Sequence, residues 1–199
     1  MKTGSRNGRL GWTLLFGSSA VALCAVIGGC SETRLTGVDL DGNRVDLFGN
    51  RNAKAVVLIF VNTDCPISNR YAPEIQRLQK EYDKHGVTFW LVYPLSDESS
   101  EDVKRHLAEY GYSFGALRDP DRELVRRSRA SKTPEAAVFV PDGKRVYHGR
   151  IDNRYVDFGQ TRVAATQHDL EDVLEAVIAE QPINVAATKA IGCSIPDAE

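Results

Sequence analysis

The run from Ala55 to Val61 is unbroken apolar sequence, and shortly after it a helical stripe opens at Ile67 and continues through Tyr71, Ile75, Leu78 and Tyr82. Apolar runs of this kind suit central strands covered on both faces, whereas three- and four-residue spacing lays one face of a helix against a sheet. A second such run, Val87 to Tyr93, follows the helix. The chain is therefore predicted to build a helix–sheet–helix sandwich, with these runs as central strands. Pro66 suits the first helical turn, where no amide hydrogen is needed. Pro73 removes a helical hydrogen bond and predicts a kink.

Cys65 stands where the strand is delivered onto this helix. A helix N-terminus offers unpaired N–H groups and a positive dipole end, which favour thiolate over thiol and lower the pKa from about 8.5. Asp64 would oppose this if its carboxylate were close. The alternative is that Cys65 is simply a small buried apolar side chain.

Further along, Ser100 to Tyr110 reads as a helix capped by Ser99 and Asp102, with the acidic run Asp97 to Asp102 as its start. Ala116 to Asp121 reads as a short strand and turn, and Asp142-Gly143 joins two strands as a hairpin. Leu170, Val173, Leu174, Val177 and Ile178 mark a last helix, with Thr166 and Asp169 as a capping box. Between strand and helix, the aromatic and charged segment Gly149 to Gly159 is a loop of the kind that carries recognition.

Cys65 followed by Ala72-Pro73, together with Thr133-Pro134 just before the apolar strand Ala136 to Val140, resembles the thioredoxin superfamily. The length between these landmarks resembles the membrane-tethered TlpA/ResA and AhpC/TSA redoxins. The resemblance covers residues 38 to 181. It implies an α/β fold, a thioredoxin-like three-layer α/β/α sandwich with a central mixed β-sheet. It also implies that Pro134 is cis and that its loop, with Thr133, lies beside the reactive sulfur and positions an incoming chain. Two departures matter: Ser68 replaces the second cysteine of a C-x-x-C pair, and Ile59 stands where thioredoxin keeps a buried acid. A mixed disulfide on Cys65 then has no adjacent thiol to release it, so turnover needs Cys193 or an external thiol.

Residues 1 to 29 carry Lys2, Arg6 and Arg9 without an acid, then an apolar segment, the layout of a secretory signal. Ile27-Gly-Gly-Cys30 resembles a bacterial lipobox, which implies acylation of Cys30 and a linker at 30 to 37. A single-pass anchor is the alternative. Loss of the leader takes the formal net charge from −2 to −5, with 22 basic and 27 acidic residues left. The basic residues are scattered, and Arg126 to Arg129 reads as a solvated helix face, so no nucleic-acid partner is implied. The expected location is the bacterial cell envelope, lipid-anchored and facing the periplasm or extracytoplasmic space. In such an oxidising compartment only Cys65 and Cys193 remain as thiols.

Cys193 lies in a tail, 182 to 199, whose glycine and proline predict mobility. It is either the resolving partner of Cys65 or a free cysteine. The expected activity is thiol–disulfide exchange on protein disulfides, or peroxide reduction, with an external thiol reductant and no cofactor or metal. Peroxiredoxins carry threonine three residues and proline seven residues before the cysteine, where this chain has Asn62 and Leu58. Asn62, Thr63, Arg118, Arg150 and Arg154 are the available hydrogen-bonding and cationic groups for peroxide. A Sco-like copper carrier is the alternative from another class, weakened by Asn69 at its second cysteine position and by single His85, His106, His148 and His168. The third is a non-catalytic binding module. The redox reading requires the Cys65 sulfur to be accessible, with a cis imide beside it.

Overall fold

In chain order the elements of the computed structural model, which describes residues 34–50 and 52–196, are β1 (Thr36–Asp39), β2 (Arg44–Asp46), β3 (Ala55–Phe60), α1 (Pro66–Asp83), β4 (Val87–Tyr93), α2 (Ser100–Glu109) and β5 (Ala116–Arg118). They continue with α3 (Glu123–Ser128), β6 (Lys132–Thr133), β7 (Glu135–Phe139), β8 (Arg145–Gly149), β9 (Tyr155–Asp157), β10 (Gln160–Thr161), α4 (Asp169–Ile178) and β11 (Cys193–Ser194). Residues 1 to 33, with the expected leader and the expected acylation site Cys30, lie outside the described residues.

Seven strands form one mixed sheet in the order β2-β1-β5-β4-β3-β7-β8. β3 pairs parallel with β4 and antiparallel with β7, so it sits centrally, and all six of its residues are buried. The pleat sends alternate β3 side chains to opposite faces. Val57 and Ile59 join Ile67, Tyr71, Ile75 and Leu78 of α1 and Leu170, Val173 and Leu174 of α4. Val56, Leu58 and Phe60 meet Leu124 and Val125 of α3, together with Leu35 and Leu47. The apolar stripe read from the sequence is therefore the face α1 buries, and α1 continues through Pro73. The capping box of α2 forms as expected, with Ser99 and Asp102 each bonding the other's backbone.

The α4 cap is different from the expected one. His168 is the N-cap and Thr166 does not cap the helix. Instead Asn153 reaches over from the segment after β8: its Oδ1 accepts the amides of Thr166 (2.8 Å) and Gln167 (3.1 Å), and its Nδ2 donates to Thr166 Oγ1. Arg150 grips Asp169 with two hydrogen bonds of 2.7 and 3.1 Å. A partner outside the helix thus takes the groups that a local box would have used. The 149–159 segment is in part structural for the same reason: Asp152 is buried and accepts the Tyr71 hydroxyl at 2.5 Å, and Tyr155 packs on Tyr71. Its exposed part is residues 156 to 159, at the turn of the β9–β10 hairpin.

The segment from residue 182 onward packs on the domain. His148 donates its amide to Ala186 O and Thr188 donates to His148 O, each at 3.1 Å, and β11 pairs antiparallel with β6. Backbone pairing with β8 and β6 overrides the mobility its glycine and proline predicted.

Ile75 is fully buried between α1 and the sheet. Ile75→Ala is expected to lower unfolding free energy by about 2–5 kcal/mol, measured by urea denaturation, because α1 cannot collapse into the void.

Candidate active site

Cys65 is the N-cap residue of α1, and the Ser68 amide points at its sulfur at 3.5 Å. The loop bringing the chain there is closed by an Asx turn, with Asp64 N–H donating to Asn62 Oδ1 at 2.7 Å, and by Cys65 N–H donating to Asn62 O at 3.2 Å. The Asn62 side-chain oxygen is used in this turn. Across from α1, the Thr133-Pro134 peptide is cis and the Cys65 thiol donates to Thr133 O at 3.0 Å. Cys193 lies opposite Thr133 in the β6–β11 ladder, and its side chain acts to lower the Cys65 pKa. Cys65, Thr133, Pro134 and Cys193 are thereby brought to one place; both cysteines are free thiols.

Burial pushes the Cys65 thiol up, but hydrogen bonds from Cys193, from the Ser68 amide and from Thr133 outweigh it and hold the pKa below its ordinary value. For Cys193, burial and then the hydrogen bond to Cys65 both act upward, to about 11. The two sulfurs are thus displaced in opposite directions, Cys65 downward and Cys193 upward. Asp64 is exposed and is not among the groups that shift Cys65, and neither is any arginine. Arg150 is occupied at the α4 cap.

One expectation needs correction. The sulfur was required to be accessible, yet Cys65 is only 1% exposed. Its surroundings are polar on the side of Thr133, Ser68 and Cys193 and apolar on the side of the α1 core. On the polar side the neighbouring element is the chain's own β11 strand, paired with β6, which sequence spacing alone did not place.

Several supporting residues were not singled out in the sequence. Glu135, at the head of β7, is buried and accepts the amides of Ser131 (2.8 Å) and Lys132 (3.0 Å), which fixes the turn before the cis peptide. A lone acid opening an otherwise apolar strand was the available signal. Glu98 is buried too, and accepts Thr63 N–H at 2.7 Å; burial raises its pKa. His106, one of the singly placed histidines, is buried on α2. Its position on the face of Val103 and Tyr110 marked it as inward. Asn69 Nδ2 donates to Thr63 O, so its Oδ1 accepts His106 Nε2–H at 2.9 Å and His106 Nδ1 accepts the Tyr93 hydroxyl at 2.8 Å. Glu98 and the Asn69–His106 pair hold the loop that presents Cys65.

Among the described residues one three-carboxylate-or-imidazole cluster has metal-like spacing, Glu74, His168 and Glu171, and neither cysteine belongs to it. Arg77 already bonds both of its glutamates, at 2.7 Å to Glu74 and 3.1 Å to Glu171.

A mixed sheet flanked by helices, a cysteine capping the helix after the central strand and a cis proline facing it define a thioredoxin-like redoxin, and the architecture is that of thioredoxin-like solved structures. The AhpC/TSA family profile matches residues 30–148. The chain belongs to the AhpC/TSA family. It is similar to thiol-disulfide oxidoreductase ResA of Halalkalibacterium halodurans, 26% identical over 60% of this chain and 67% of that protein. ResA of Bacillus subtilis is 27% identical over 53% of this chain and 58% of its own length. Among solved structures, an uncharacterized conserved protein of Geobacillus kaustophilus superposes with a TM-score of 0.70 at 27% identity, covering 81% of this chain and 87% of that one.

Two outcomes test this geometry. Cys193→Ala removes the largest influence that lowers the Cys65 pKa, so the midpoint of Cys65 alkylation against pH should move upward. Burial depresses the pKa of His106, so the unfolded chain takes up its proton first. Stability should therefore fall as pH drops below about 6.5, and His106→Gln should flatten that part of the pH profile of chemical denaturation.

Proposed function

We propose that the protein is an extracytoplasmic thiol-based oxidoreductase in which Cys65 attacks and Cys193 resolves. The observation that carries this reading is that Cys193 stands opposite Thr133, the residue whose carbonyl accepts the Cys65 thiol, and the two cysteines displace each other's pKa in opposite directions. The Cys65 thiolate attacks one sulfur of a substrate disulfide; that S–S bond breaks, a Cys65 mixed disulfide forms, and the other sulfur leaves as thiolate and takes a proton. Cys193 then attacks Cys65 Sγ, expelling the second substrate thiolate and leaving a Cys65–Cys193 disulfide. The substrate disulfide is reduced by two electrons and the cysteine pair is oxidised by two.

The order is set by ionisation. While Cys65 is a thiolate, its hydrogen bond and charge hold the proton on Cys193. Once Cys65 is bonded to sulfur, both influences vanish and Cys193 becomes easier to ionise. An external dithiol would restore the pair. The resolver thus comes from the C-terminal strand and not from the next turn of the helix, where Ser68 stands.

The burial of Cys65 favours a second substrate, a hydroperoxide, which is small enough to enter a covered site. Attack on the O–O bond would give a Cys65 sulfenic acid and an alcohol, and Cys193 would convert it to the same disulfide with loss of water. Cys30 as the acylated N-terminus would place the domain on the outer face of a membrane, consistent with the sequence Ile27 to Cys30 and the basic start of the leader.

Peptide mapping of protein treated with one equivalent of peroxide or of a small disulfide should yield a Cys65–Cys193 linked pair. Cys65→Ser should abolish consumption of either oxidant. Cys193→Ser should stop at the mixed disulfide or sulfenic acid, and an unmodified Cys65 in the wild type would refute the reading.

A further inference from the structure

The edge of the strand beside the reactive sulfur is filled by the chain itself. β6 is the two-residue strand Lys132–Thr133, and among the described residues its ladder partner is β11, with Cys193 opposite Thr133 and Ser194 opposite Lys132. Ile195 N–H donates to Ser131 O at 2.9 Å and Lys132 Nζ donates to Ser194 Oγ at 2.7 Å. Upstream, Thr188 is tied to the Tyr147 hydroxyl at 2.6 Å and accepts Arg150 N–H at 3.1 Å. Gly192 lies so close to β6 that a Cβ there would sit 2.1 Å from Thr133 O. That contact admits glycine alone.

The register has a general consequence. An extended segment adds to an open strand edge through backbone hydrogen bonds, whatever its side chains. On this edge, the residue opposite Thr133 delivers its side chain onto Cys65, as Cys193 does. Any extended chain with a cysteine at that register would place its sulfur in the same position, but only if β11 were absent.

We infer that the segment Ala187–Ile195 is a tethered stand-in for an extended substrate strand: docked, it admits only small oxidants to Cys65, and release of β11 opens the Lys132–Thr133 edge to a disulfide carried by an extended polypeptide. This rests on Cys65 being the attacking sulfur. With β11 seated, the same strand that resolves Cys65 also shields it. A polypeptide disulfide must displace it first and then, after attack, be displaced by it in turn.

The test uses the full chain in a Cys193→Ser background, where Cys65 is the only thiol of the site, and compares it with the same chain carrying Gly192→Ala. Two probes react with Cys65: iodoacetamide, and a ten-residue extended peptide whose central cysteine is linked to thionitrobenzoate. In the second, Cys65 thiolate attacks the peptide sulfur, the S–S bond to thionitrobenzoate breaks, and the released yellow thiolate is counted. The ratio of peptide rate to iodoacetamide rate should rise at least about tenfold with Gly192→Ala, since only the peptide needs the strand edge. Hydrogen exchange at the Ile195 amide should become fast in the same variant. Ile195→Pro, which removes that amide, provides an independent release and should act in the same direction.

An unchanged ratio with a fast-exchanging Ile195 amide would overturn the inference and leave Cys65 as the attacking sulfur. So would an unchanged ratio in both variants whatever the exchange result. Cys65 unreactive toward both probes in every variant would overturn the proposed function itself.

Discussion

Thr133 is the residue through which the two sulfurs meet. Its carbonyl takes the Cys65 S–H, its strand carries Cys193 on the neighbouring strand, and the cis peptide it forms with Pro134 turns the chain into β7. Removing a proton from Cys65 in this setting is a contest between burial, which opposes the anion, and the groups that favour it, chiefly Cys193 and the Ser68 amide. These groups win, because each is fixed by a backbone element and needs no reorganisation to face the sulfur. The helix end alone would not have sufficed at a site this buried.

The rest of the molecule holds those elements still. β3 has every side chain buried, half against α1 and α4 and half against α3, so the strand delivering the chain toward Cys65 has no freedom to shift register. On the other side, Glu135 gathers the amides of Ser131 and Lys132 and sets the turn from which Thr133 projects. The loop between β3 and α1 is tied by Glu98 at Thr63 and, through Asn69, by His106. These are buried polar groups whose hydrogen bonds specify one arrangement where apolar packing would tolerate several.

The elements with continuous local patterns were legible. The apolar stripe of α1, the two central strands, the α2 capping box and the Asp142-Gly143 hairpin follow from spacing and turn chemistry, and each is found. The α4 cap was misread because Thr166 and Asp169 had the right spacing, while Asn153 and Arg150 from across the chain took the relevant groups. The tail was misread for a related reason. Its glycine reads locally as a source of freedom, but Gly192 is there to let two backbones approach.

By itself the amino-acid sequence determined the α/β sandwich, the placement of Cys65 at a helix start and the absence of a neighbouring thiol at Ser68. Those features depend on residues a few positions apart, whose geometry the backbone dictates. Only the tertiary structure decided that Cys193, far along the chain, lies opposite Thr133 beside Cys65, and that Cys65 is buried. The pairing of β11 with β6 is made of backbone hydrogen bonds, which leave no signature in side-chain order.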